Sequence, residues 1–243
     1  MKLLLLIYTL LFYTSANAQH LKVTYNIKDF NTQIPDSFKS NPAYAYLIKR
    51  NENIKKHIDQ VHFELKATSN ESIFTYIDIL DPPKDIGKSI KSGIIATGMN
   101  GIFYSNNKTE ELSIKKNIGG QIFTILTKSN NRIWHLENDR KFILNKHCLK
   151  ATTTDTIRNS KGKFLKKITA WYDPSMPYNI GPGTYRGLPG IILSIEVQET
   201  NKHYKIEAIS IKNGEKFIPR FRVENPITQA ALDSLFVSKK GGF

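Results

Sequence analysis

The chain has 243 residues, of which 40% are apolar, 11% aromatic and 23% charged, a balance that can fill a hydrophobic core and excludes wholesale disorder. Its single cysteine, Cys148, excludes an internal disulfide framework and a multi-cysteine zinc or iron–sulfur centre. Lysine and arginine outnumber aspartate and glutamate by 35 to 21, for a net charge of +14.

The first residues read as an export signal. Lys2 precedes the apolar run Leu3-Leu4-Leu5-Leu6-Ile7, and Ala16-Asn17-Ala18 supplies a small-x-small cleavage site. The apolar run is too short to span a bilayer comfortably. Residues 1–18 are therefore expected to be a signal peptide, leaving 19–243 as a single β-rich domain. That makes the protein exported, periplasmic or secreted, and soluble after cleavage, because no later segment approaches a transmembrane length. No cysteine lies near the cleavage site for lipid attachment. A lone thiol such as Cys148 most often packs as a small hydrophobe.

Beyond the signal, the pattern is mostly of period two. Leu21, Val23, Tyr25 and Ile27 alternate with polar neighbours, as do Val61, Phe63 and Leu65. Further strands are predicted at 72–80, 101–106, 110–115, 121–127, 131–136, 141–152, 164–172, 190–198 and 203–212. Turn clusters separate them: Ser69-Asn70, Asn106-Asn107, Gly119-Gly120, Ser129-Asn130-Asn131 and Asn213-Gly214. Links this short favour antiparallel neighbours. Two helices are predicted. Asn41-Pro42 caps one carrying Tyr44, Leu47 and Ile48, and Asn225-Pro226 caps another carrying Ala231, Leu232, Leu235 and Phe236, with Lys239-Lys240 and Gly241 at its end. Segment 81–99, with Pro82-Pro83, Gly87, Gly93 and Gly98, reads as a long loop. The expected fold is mainly β: a broad, curved antiparallel sheet, open or partly closed like a barrel, with one or two short helices.

Residues 169–198 are the most distinctive. Trp171 and Tyr172 close a strand, Asp173-Pro174 and Met176-Pro177 impose extended backbone, and two turns follow at Gly181-Pro182-Gly183 and Gly187-Leu188-Pro189-Gly190. Pro189-Gly190 suits the centre of a type II turn, with Gly190 at positive φ. After it, Ile191, Leu193, Ile195 and Val197 are expected on one face of a strand, and Ile192, Ser194, Glu196 and Gln198 on the other.

This segment resembles the GLPGLI family of exported bacterial envelope proteins. The signature stands here as Gly187-Leu188-Pro189-Gly190-Ile191-Ile192, with Ile191 where the family name has leucine. Cys148-Leu149-Lys150-Ala151, Ala170-Trp171-Tyr172 and Ile180-Gly181-Pro182 match outlying family features, although Gly183 stands where an aromatic is expected. The resemblance covers 148–193. It implies an envelope protein often associated with TonB-dependent outer-membrane receptors, and it implies no catalytic residue or cofactor.

The residues themselves point the same way. The six histidines form no ligand pair at metal spacing, and no phosphate loop, dinucleotide fingerprint or nucleophile elbow is present. No cofactor or metal is expected, and enzymatic activity is disfavoured. Asp78, Asp81 and Asp85 read as turn caps and solvated charge. The turns Gly187, Leu188, Pro189 and Gly190 read as a structural motif. Trp171, Tyr172, Tyr178, Tyr185 and Arg186 beside them form a candidate recognition patch. Distributed lysines suit an anionic lipid surface or an acidic partner, whereas export removes nucleic acid as a partner. The leading expectation is a non-enzymatic envelope protein that binds a partner protein or ligand. The alternative is a periplasmic lipid or lipoprotein carrier with a half-barrel cavity, and a hydrolase assembled from distant strands comes third.

Overall fold

The computed structural model describes residues 20–78, 82–128, 132–159, 162–214 and 221–238. The expected signal peptide at 1–18, Asp81, the expected turn at 129–131 and the expected helix end at 239–241 lie outside them. The described chain is mainly β. Eleven strands form one curved, open antiparallel sheet: β1 (Leu21–Thr32), β2 (His62–Ala67), β3 (Glu71–Ile77), β4 (Ile102–Asn106), β5 (Glu111–Ile118), β6 (Gln121–Lys128), β7 (His135–Ile143), β8 (Lys146–Asn159), β9 (Gly162–Asp173), β10 (Ile191–Glu199) and β11 (Lys202–Asn213). Their spatial order is β6-β5-β4-β3-β2-β1-β11-β10-β9-β8-β7, so the first and last strands of the chain lie side by side at the centre. Most neighbours are hairpin partners, as their short turns require. Among the described residues four α-helices, with short 3-10 helices at Pro42–Tyr44 and Ile58–Gln60, complete the fold: α1 (Asp36–Lys39), α2 (Ala45–His57), α3 (Lys84–Thr97) and α4 (Gln229–Ser238). None is long and apolar enough to cross a membrane.

Register assigns the two faces. Val23, Leu65 and Phe74 pair in one row and Tyr25, Phe63 and Ala208 in the next, so these buried side chains share the inner face. Phe63 stacks on Phe74, with ring centres 5.3 Å apart. Lys22, Glu64, Lys66 and Glu207 occupy the outer face in the same registers, Glu64 paired with Lys22 and Lys66 and Glu207 with Lys205.

The helix Lys84–Thr97 replaces the loop expected over 81–99. Its punctuation was read as loop content: Pro83 precedes the first turn, and Gly98 ends the helix with φ of +77°. The residues between are amphipathic, with Ile90, Ile94 and Thr97 buried against the inner face. Gly93 is the notch where α3 meets the end of α2. A Cβ there would lie 2.6 Å from Ile58 and 2.9 Å from Ile54. The Tyr204 hydroxyl, buried on β11, donates to the Thr97 carbonyl at 3.0 Å and ties helix to sheet.

Two strand readings also change. The expected strands 131–136 and 141–152 are one hairpin, β7–β8, turning at Leu144 and Asn145 with φ of +51° and +60°. Neither residue is glycine, so the turn lacks its usual sequence signal. In β10 the strict alternation fails at Leu193. Ile192 pairs with Tyr172 but Ser194 pairs with Trp171, leaving Leu193 as a bulge. Ile192, Ile195 and Val197 thus share the inner face, and Ile191 and Ser194 the outer.

Ile191, Leu193, Ser194 and Cys148 are nonetheless fully buried on or beside that outer side. Lys141 of β7 reaches Glu207 of β11 at 3.8 Å, though the two strands are four places apart. In a flat sheet that separation would be about 19 Å. The β7–β8 hairpin therefore curls back over β9 and β10 and covers a second, smaller apolar layer.

Candidate functional site

Residues 174–190, between β9 and β10, form a strap across the inner face. Its ends are held by sheet-like bonds: Ile191 N–H donates to Met176 O at 3.0 Å and Ile192 N–H to Ile180 O at 2.8 Å. From β9 and β10 the strap reaches β4, five strand places away, where Gly183 sits beneath Met99 and Phe103. Gly183 has φ of +61°, and a Cβ there would lie 2.5 Å from the Met99 sulfur.

Arg186 is the rivet at the far end. Its Nη2 donates to Asn107 Oδ1 at 3.1 Å and its Nη1 to Glu111 O at 3.4 Å, both at the β4–β5 turn. Burial lowers the pKa of its guanidinium. The Arg186 carbonyl accepts from Trp134 Nε1 at 3.0 Å, just before β7. Asn107 Nδ2 donates back to Tyr178 O at 3.3 Å. A second arginine fixes the near side. Arg132 makes a two-pronged pair with Asp155, Nε to Oδ1 at 3.2 Å and Nη2 to Oδ2 at 3.0 Å, and its Nη1 donates to Thr184 O at 3.2 Å. Its guanidinium lies 4.8 Å from the centre of the Tyr185 ring. The strap thus connects opposite halves of the sheet through charge-assisted bonds, which are stronger and more directional than neutral ones.

The turn chemistry differs from the expected type II turn. Positive φ falls at Gly187, at +91°, not at Gly190. Gly190 is required for a different reason: a Cβ would overlap the carbonyl oxygen of Asp173. Gly190 N–H donates to Leu188 O at 2.8 Å, which closes a tight three-residue turn on Pro189. Leu188 is 1% exposed and anchors the turn in the core.

Of the expected patch, Tyr172, Tyr178, Tyr185 and Arg186 are buried within or beneath the strap. Trp171 alone is partly exposed, on the outer face, with Lys141 Nζ 4.5 Å from its ring centre. The structure therefore joins Tyr178, Tyr185 and Arg186 in one unit, separates Trp171 from them, and adds Arg132, Trp134, Asp155 and Asn107. An acid amid Thr152-Thr153-Thr154 and an arginine two residues before Trp134 were the available sequence signals for two of these. Among the described residues, no group of three or more histidine, cysteine, aspartate or glutamate side chains is placed to hold a metal.

The exposed surface of interest lies at the end of the sheet. The β6 edge is covered by a parallel bridge to Ile227, with Leu126 N–H donating to Ile227 O and Ile227 N–H to Thr124 O, both at 2.9 Å. Among the described residues β7 pairs only with β8, and no described strand lies on its other side. Around it Ile133, Leu136 and Phe142 are 75%, 59% and 66% exposed. Register to β8 places Leu136, Arg140 and Phe142 on one face of this strand. Glu137 and Asp139 are both taken by Lys150, whereas Arg140 has no ion-pair partner among the described residues.

Residues 134–194 match a family model described as "Protein of unknown function (Porph_ging)". The matched stretch runs from the indole that grips Arg186 to the bulged start of β10, and so encloses the hairpin, β9 and the strap. No curated protein matches the chain. Two solved structures of PNGF-II, in space groups C2 and P21, are similar over 90% of this chain, at 14% and 15% identity and a TM-score of 0.55 each. The chain covers 33% of the length of PNGF-II in both. At that identity the likeness is one of fold.

Proposed function

We propose that this is an exported, non-enzymatic protein of the bacterial envelope that binds a partner protein along the free edge of β7. The carrying observation is the uncovered strand with Leu136 and Phe142 exposed on one face, 59% and 66%, and an unpaired Arg140 between them. An open ladder of backbone groups flanked by apolar side chains is a template for an added strand. In this reading the strap holds the scaffold rigid, through Tyr178, Tyr185 and Arg186, and Trp171 lies on the opposite face of the sheet from Leu136 and Phe142. The export signal and the family resemblance favour an envelope setting, with a component of a TonB-dependent receptor system as the partner.

The test compares affinity capture from envelope extracts by the wild-type protein, by Leu136→Glu/Phe142→Glu, and by Ile95→Glu. Ile95 is also exposed, at 59%, but lies on α3 away from β7. Loss of one reproducible partner with the β7 variant, and retention with Ile95→Glu, is expected. Equal recovery by all three would remove β7 as the docking edge.

A further inference from the structure

We infer that the cleft between the β7–β8 turn and the end of β11 is a binding site for an oxyanion of the phosphate class. The curl of the hairpin brings Lys146, one residue past the turn, over β11, where Lys212 stands. Both line a cleft of about 670 Å³ together with His20. No aspartate or glutamate among the described residues lines it. Neither lysine has an ion-pair partner among the described residues, whereas Lys28, Lys141 and Lys205 all share Glu207. Lys212 also stands directly across from Lys22, and Lys22 across from Lys66, so three cations form one row on three adjacent strands. Like charges placed directly opposite are destabilising. Glu64 bridges Lys22 and Lys66, and no carboxylate serves Lys212 among the described residues.

His20 Nδ1 is buried and has no hydrogen-bond partner among the described residues. A buried ring nitrogen normally finds a partner. Two ammonium groups supply the charge that a phosphate dianion needs, and lysine binds phosphate as a point charge. Leu144, Met176 and Ile211 supply an apolar part of the lining. A free phosphate and the phosphate headgroup of a lipid share the anionic half of this chemistry, and the apolar lining fits the glycerol and first methylenes of the second.

The experiment titrates the purified protein by calorimetry with inorganic phosphate and, separately, with dihexanoyl phosphatidic acid below its aggregation threshold. The variant is Lys146→Gln/Lys212→Gln, and the control is Lys163→Gln, an exposed lysine outside the cleft. Saturable binding of either probe, weakened at least tenfold in the double variant and unchanged in the control, supports the site. Binding of the lipid alone identifies a headgroup, and binding of phosphate alone identifies the free ion. No saturable binding of either probe, or equal binding by the double variant, overturns it.

Discussion

Replacing Arg132 by alanine removes the near-side lock of the strap. The side chain is 5% exposed and that of its partner Asp155 is 32% exposed. Breaking a fully buried pair costs about 3–5 kcal/mol, because the remaining charge has no solvent. Asp155 is one-third exposed and regains some hydration, which lowers the range. Loss of the 3.2 Å bond to Thr184 O and of the contact with Tyr185 adds back part of the difference. The expected loss is therefore about 2–4 kcal/mol. For a chain of this size it corresponds to a drop in Tm of roughly 4–16 °C. Urea titration followed by tryptophan fluorescence measures the stability directly, and Trp134, beside Arg132, reports local release. Arg132→Lys should recover less than half of the loss, since one ammonium cannot reproduce a two-pronged guanidinium. A loss below about 0.5 kcal/mol for Arg132→Ala, the range of an ordinary surface change, would refute the bridging role.

The two glycines of the signature turn should separate by mechanism. Gly190→Ala forces a Cβ into a backbone carbonyl and should cost about 3 kcal/mol or more, whereas Gly187→Ala meets only Trp134 Nε1 at 4.0 Å and should cost about 1–2 kcal/mol for its positive φ. Denaturant titration ranks them, and the reverse order would contradict the turn geometry. Burial, aided by the Asp173 carboxylate, pushes the Cys148 thiol up to about 11 from its ordinary 9.0. Between those values the unfolded chain has lost the proton and the folded chain has kept it, so stability should fall as pH rises, by about 1.4 kcal/mol per pH unit. Cys148→Ala should flatten that slope, and an unchanged slope would mean the thiol is hydrated in the folded protein. A thiol reagent at pH 8 should modify Cys148 only as fast as the protein opens, and rapid stoichiometric labelling would count against its burial.

The period-two segments disclosed the sheet because each strand buries one face, and alternation is the direct record of that. The helix Lys84–Thr97 was hidden because its glycines serve three separate purposes: Gly98 as a cap, Gly93 as a packing notch, and Gly87 beside Pro82. Composition alone merges these into a loop. The hairpin turn was hidden because Leu144 and Asn145 adopt positive φ without glycine, and the bulge at Leu193 because a run of apolar residues has no visible phase. The signature segment was legible as an unusual turn, but its aromatics were legible only as amphipathic. Whether Tyr178 and Tyr185 face water or core depends on Arg132 and Asn107, which lie 52 to 79 residues away in sequence from the strap residues they bond, and on Asp155, which holds Arg132 from 23 residues away. Such contacts leave no local pattern.

Native-state hydrogen exchange tests the central arrangement most directly, because it reads the strap and the free edge in one experiment. The amide protons of Gly187, Ile191 and Ile192, bonded to Asn179, Met176 and Ile180, should exchange as slowly as those of β1 and β11 at the centre of the sheet. The amides of β7 that point away from β8 should exchange within seconds. Fast exchange across the strap beside a protected sheet, or strong protection on both sides of β7, would contradict it.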